Sequence, residues 1–124
     1  LNTKTNMLRY AGANNNLYVI SDGKLQVLKA DRQPIGKYVI SKNFNVQEIQ
    51  LKPGDTFYMF TDGYVDQFGG PEGKKFKTKQ FLEMLLSIQH LSMRQQQRHI
   101  DKAFMEWKGE FDQIDDVCVL GVKI

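Results

Sequence analysis

At 124 residues, 41% hydrophobic and 25% charged, the chain has the size and balance of one globular domain able to bury its own core. Its net charge of +3 is too modest for a nucleic-acid binder, and no apolar run approaches the roughly 20 residues a membrane span needs. The single cysteine, Cys118, cannot form an internal disulfide; its apolar run predicts a buried thiol, and with no signal-peptide pattern the chain reads as cytoplasmic.

The polar opening, Leu1 to Asn6, leads into a strand-like Met7-Leu8-Arg9-Tyr10, as though the chain were cut just before a strand. Leu17-Tyr18-Val19-Ile20 and Leu25-Gln26-Val27-Leu28 flank Ser21-Asp22-Gly23-Lys24, which predicts a hairpin because glycine tolerates the positive φ of tight primed turns. An irregular stretch through Pro34-Ile35-Gly36 precedes a strand over Val46 to Leu51, closed by a turn at Lys52-Pro53-Gly54-Asp55. The apolar run Thr56-Phe57-Tyr58-Met59-Phe60 reads as a strand buried on both faces, followed by Thr61-Asp62-Gly63 and a loop from Phe68 to Lys75. Two helices come next. The first has Phe81, Leu82, Leu85, Leu86 and Ile88 mostly on one face; the second starts at Ser92, with Gln95 completing a capping box, and stops at Gly109. A final strand runs from Val117 to about Lys123, also buried on both faces. Strands, two consecutive helices and a last strand, with short turns early on, predict an α+β fold with mostly antiparallel sheet.

The chemistry-bearing residues lie at the edges of the two most apolar runs. If those strands are antiparallel neighbours, Asp62 and Asp115 face each other at one rim. Carboxylates brought that close repel, so they hold a cation or share a proton. Taken alone, Asp62-Gly63 reads as an ordinary turn and Asp115-Asp116 as a solvated loop; together they point to a hard divalent ion such as Mg²⁺ or Mn²⁺. Lys74, Lys75, Lys77 and Lys79 form either a solvated loop or a mobile basic flap that attracts a phosphorylated substrate. The segment is no P-loop, since Phe68 stands where its first Gly belongs and Lys75 where Ser or Thr belongs. His90 and His99 lack metal-ligand spacing, and no Ser-His-Asp or Cys-His system is visible.

Tyr10-Ala11-Gly12-Ala13-Asn14, Pro34-Ile35-Gly36, Leu51-Lys52-Pro53-Gly54-Asp55, Thr61-Asp62-Gly63 and Asp115-Asp116-Val117 occur in the order seen in SpoIIE-like phosphatases. The chain thus resembles the bacterial branch of the PPM-type, protein phosphatase 2C-like, metal-dependent Ser/Thr phosphatases along essentially its whole length. The resemblance implies an α-β-β-α sandwich in which Asp62 and Asp115 are metal ligands and Gly63 and Asp116 their neighbours. It implies a Mn²⁺ or Mg²⁺ pair that polarises a water for attack on a phosphoserine or phosphothreonine, and a phosphorylated protein as partner in bacterial signalling. The family's earlier Asp-Gly-His segment, whose Asp bridges the metals, has no counterpart, because Asp22-Gly23 sits in a hairpin turn with no following His. Ala13 stands where many members have His, Phe76-Lys77 where Phe-Gly is usual, and Cys118 where Thr is common. Residues 1–124 are therefore expected to be the C-terminal part of one phosphatase domain, inactive alone and able to form a homodimer through uncovered sheet. The rivals are a catalytically degenerate phosphatase-like protein-binding module and an unrelated α+β binding domain.

Overall fold

The β1 strand (Met7–Tyr10) pairs antiparallel with β4 (Gln47–Gln50), Met7 opposite Gln50 and Tyr10 opposite Gln47. These strands belong to a computed structural model that describes residues 1–37, 39 and 42–124. Between them, β2 (Leu17–Ser21) and β3 (Lys24–Leu28) form the expected hairpin. Asp22 and Gly23 both take positive φ, 49° and 72°, as a two-residue primed turn requires. A second sheet has the order β3-β2-β5-β8, with β5 at Thr56–Phe60 and β8 at Val119–Lys123. Ile124 N–H donates to Asp55 O at one end of β5, and Thr61 N–H to Cys118 O at the other, so β5 and β8 run in opposite directions. The chain is α+β with antiparallel sheets and three helices among the described residues. No helix of the described residues is long and apolar enough to cross a membrane.

Packing divides the chain into two compact units, 1–59 with 121–124, and 60–120. In the first, Leu8 and Tyr10 alternate with exposed Arg9, the period-two pattern of a half-buried strand. They join Leu17, Val19, Leu28, Leu51 and Phe57 in one core, with Ile49, Met59, Val122 and Ile124 packed against it. Its polar clasp is Lys52, whose Nζ reaches Ser21 Oγ at 2.7 Å, Asp22 Oδ2 at 2.8 Å and Asp55 Oδ1 at 3.2 Å. Lys52 N–H also donates to Asp55 Oδ2 at 2.9 Å, so the buried Asp55 carboxylate ties the hairpin turn to the turn before β5.

The second unit holds α1 (Asp62–Asp66), the short hairpin strands β6 (Phe68–Gly69) and β7 (Lys74–Lys75), α2 (Thr78–Ser87) and α3 (Met93–Lys108). Its core is aromatic. The Tyr64 ring lies 5.2 Å from Phe76, 4.5 Å from Phe81 and 5.0 Å from Phe104, and Phe76 meets Trp107 edge-on at 5.2 Å. Tyr64 Oη donates to Ile100 O at 2.8 Å, and burial, with the Asp101 charge adding, pushes its hydroxyl far above the ordinary tyrosine value. Phe81 and Leu85, with Ile88 at its C-cap, give α2 the buried stripe that helical spacing predicts. Ser92 and Gln95 form the capping box on α3, and Gly109 ends that helix with φ of 50°.

Four expectations are corrected. Asp62 follows β5 as expected, but Asp62-Gly63 is no turn: Asp62 opens α1, too short for helical periodicity to register. The stretch from Phe68 to Lys75 is a small hairpin rather than a loop, fastened by Gly70 N–H donating to Trp107 O at 2.9 Å. The last strand begins at Val119, because the Cys118 N–H turns to the Thr61 hydroxyl. Cys118 is exposed and Leu120 is 47% exposed, so that run is not buried on both faces, and the buried thiol that suggested a reducing compartment is not found.

Two stability outcomes follow. Ser92→Ala removes the cap bond to Gln95 N–H and is expected to destabilise the protein by about 1 kcal/mol, read from denaturant unfolding. For Asp55, desolvation raises the carboxyl, but the hydrogen bonds from Lys52 N–H, Ser21 and the Lys52 ammonium together outweigh it and hold the group below its ordinary value. A carboxyl depressed in the folded state stabilises above its unfolded pKa of about 4 and loses that contribution as pH falls through the folded value. Unfolding measured between about pH 5 and pH 2 should therefore show a shallower acid decline for Asp55→Asn than for the unaltered protein.

Candidate metal centre

The end of β5 and the approach to β8 are stitched together by one threonine. Thr61 stands at the N-cap of α1, yet its hydroxyl makes no capping bond there. Instead Thr61 Oγ1 donates to Asp116 O at 3.0 Å and accepts from Cys118 N–H at 3.0 Å, while Thr61 N–H donates to Cys118 O at 3.0 Å. A β-branched residue leaving a strand suits this role, since its backbone can continue a ladder while its hydroxyl reaches across.

Gly63, two residues on, is buried against the backbone of Asp115 and Asp116, above all the Asp116 carbonyl. A Cβ placed there would collide with Asp116 O and lie 2.9 Å from its carbonyl carbon and 3.4 Å from that of Asp115. Only glycine permits this approach, so the Asp-Gly dipeptide is more than a turn. Its glycine lets two backbones touch, and that contact puts Asp62 at the start of α1 beside the segment carrying Asp115 and Asp116. Asp62, Asp115 and Asp116 are all exposed. Asp115 Oδ1 accepts from Asp116 N–H at 2.7 Å, and Gln113 Nε2 donates to Asp115 O at 2.9 Å, which orders the acidic turn.

Asp62 and Asp115 supply hard oxygen donors of the kind Mg²⁺ and Mn²⁺ take. They supply part of a shell: among the described residues no group of three or more His, Cys, Asp or Glu side chains is placed to hold a metal ion. Two carboxylates by themselves do not complete the shell of a hard divalent ion.

Lys74 and Lys75 lie on β7. Lys74 pairs with Glu72, and Lys75 Nζ sits 3.1 Å from Asp66 Oδ1 and 5.9 Å above the centre of the Phe68 ring. Both are exposed, and their charge is partly balanced where it stands. Gln67 escaped the sequence reading, and so did the bracing role of Thr61, which entered only as a member of the Thr61-Asp62-Gly63 motif. A threonine ending an apolar run looks like a strand terminus, and nothing local marks Gln67 as a fully buried amide. The paired glycines Gly69-Gly70 were the available hint of close backbone packing nearby.

The family model for SpoIIE, Stage II sporulation protein E, matches residues 1–124. No curated protein sequence matches the chain. Among solved structures, the SiaA-PP2C domain of Pseudomonas aeruginosa is 34% identical with a TM-score of 0.88, covering 98% of this chain and 48% of that one. The PP2C phosphatase domain, with a fragment of the regulatory domain, of the cell fate determinant SpoIIE from Bacillus subtilis is 19% identical with a TM-score of 0.68, covering 95% and 34%. The photosystem II phosphatase PBCP is 18% identical with a TM-score of 0.55, covering 83% and 41%. The last two likenesses are of fold alone, and the chain spans about half or less of each solved relative, 48%, 34% and 41%. A match over every residue, on an α+β fold shared with PP2C phosphatase domains, places the chain in the SpoIIE family.

Proposed function

We propose that the chain is the C-terminal part of a metal-dependent protein serine/threonine phosphatase domain, in which Asp62 and Asp115 bind Mn²⁺ or Mg²⁺. One observation carries this reading: Thr61 and Gly63 lock onto the backbone of Asp115 to Cys118, bringing two acidic turns to one rim with their side chains in solvent. Carboxylates brought close together at that rim would repel one another unless a cation lay between them, which would give a cation a reason to bind. Bound divalent ions would activate water and neutralise charge on a phosphoryl group. The chain's own contribution is to fix the ligand-bearing backbones, which keeps the carboxylates pre-organised. Further ligands would come from residues of the whole protein outside these 124, in keeping with a SiaA domain of which the chain covers 48%.

The substrate in this reading is a phosphorylated protein in a bacterial signalling pathway, met in the cytoplasm, and the isolated 124 residues are inactive. Lys74 and Lys75 attract it weakly at most, given their pairing with Glu72 and Asp66. The second reading, a catalytically degenerate phosphatase-like module that binds a protein partner, is favoured by the incomplete ligand set among the described residues.

Hydrolysis of p-nitrophenyl phosphate or a phosphopeptide by the whole protein separates the two. Mn²⁺-dependent turnover that Asp62→Asn and Asp115→Asn each reduce by at least about 100-fold, with unfolding unchanged within about 0.5 kcal/mol, is the expected outcome. No turnover with saturating Mn²⁺ would favour the binding module. Gly63→Ala is expected to act differently, because its Cβ must push the Asp116 carbonyl aside. We expect a stability loss of about 1 to 3 kcal/mol together with loss of Mn²⁺ binding, read by calorimetry and denaturation.

A further inference from the structure

The segment 109–118 bears Asp115 and Asp116 yet has no helix or strand of its own, so its place depends on what grips it. Thr61, just before α1, grips the end at Asp116 and Cys118. The other grip is Gln67, the residue that ends α1. Gln67 is 0% exposed, and its Nε2 donates to Asp112 O at 2.8 Å and to Phe68 O at 3.0 Å. Its own carbonyl accepts from Phe76 N–H at 3.1 Å and from Trp107 Nε1 at 3.0 Å, so the residue is fastened to α3 and to the strand side of the hairpin at once.

The orientation of this amide follows from its partners. Both Nε2 protons are used on carbonyl oxygens, and a flipped amide would set oxygen against oxygen. Its Oε1 meets no donor among the described residues. What it does provide is a fixed spacing between the end of α1 and Asp112, three residues before Asp115.

We propose that Gln67 is a positioning residue for the Asp62–Asp115 pair, its amide and the Thr61 hydroxyl bracing the 112–118 segment against the two ends of α1. The inference rests on the reading of Asp62 and Asp115 as metal ligands. α1 then acts as a short strut: Asp62 leaves its first turn, and the segment carrying Asp115 is tied to the residues at both of its ends. Residues standing behind metal ligands commonly change metal affinity by 10- to 100-fold when altered.

The test uses the whole protein with three variants. Gln67→Met keeps the volume but removes the donor, Gln67→Asn keeps the amide but shortens its reach, and Ser92→Ala lowers stability elsewhere in the same unit. Amide hydrogen exchange of residues 112–118 is measured without metal, and Mn²⁺ binding is followed by electron paramagnetic resonance. For Gln67→Met we expect exchange at the Asp116 and Cys118 amides about tenfold faster and Mn²⁺ binding about tenfold weaker, while Ser92→Ala moves neither. Gln67→Asn should fall between, and it carries the test if Gln67→Met does not fold. Unaltered exchange in a folded Gln67 variant overturns the brace. Faster exchange with unchanged Mn²⁺ affinity overturns the positioning role. If the unaltered protein binds no Mn²⁺, the ligand reading and the positioning role fail together, and the exchange data alone then decide whether the brace exists.

Discussion

Gly63 touching the Asp116 carbonyl is the contact on which the candidate centre depends. Two acidic turns far apart in sequence can share a rim only if their backbones come within van der Waals distance, and a side chain at position 63 would prevent it. The Thr61 bonds to Asp116 and Cys118 then set the register of that approach. Sterics decide that the segments can meet, and hydrogen bonds decide which atoms do. The carboxylates themselves are exposed, so water screens their charges from one another.

The strut that presents Asp62 is itself held by packing. An isolated five-residue helix has no stability of its own, since nucleation costs more than one turn returns. Gly63, Tyr64 and Val65 are buried, and the Tyr64 ring packs against three aromatic neighbours. Burying a large apolar side chain contributes about 1.5 to 3 kcal/mol, against roughly 0.5 to 1.5 for a typical hydrogen bond. The aromatic cluster therefore keeps α1 in place, and the polar bonds at Thr61 and Gln67 tune what it carries. Aromatic packing and the placement of Asp62 are thus coupled through a single short helix.

Features carried by local chemistry were readable from the chain. Asp22-Gly23 announced its turn because positive φ at consecutive residues selects for such a pair, and Ser92 with Gln95 announced the start of α3 through reciprocal bonding of cap and backbone. The neighbouring of β5 and β8 was inferred from two apolar runs edged by acids, and the strands do run side by side. What stayed hidden depends on tertiary contact. α1 is shorter than two turns, so no periodicity could reveal it, and β6 and β7 are two residues each. Cys118 misled because an apolar run was equated with burial, whereas its backbone is diverted to the Thr61 hydroxyl and its side chain faces solvent. For the proposed centre, motif order singled out Asp62, Asp115 and, within Thr61-Asp62-Gly63, Thr61 as a motif member, while the bracing contacts of Thr61 and Gln67 have no signature short of the fold.

A division of labour between these residue sets has a physical basis. Asp62, Asp115 and Asp116 are exposed, whereas Gly63, Tyr64, Val65 and Gln67 are buried. Exposed side chains away from core, cap or buried network can change with little effect on stability, while buried ones cannot. The residues that would perform chemistry are therefore nearly free of the fold's energetics, and the residues that aim them are bound into it. In such an arrangement the ligand carboxylates could be lost and the framework persist. A phosphatase and a degenerate binding module of the same family would then share this scaffold and differ in the acids displayed at its rim.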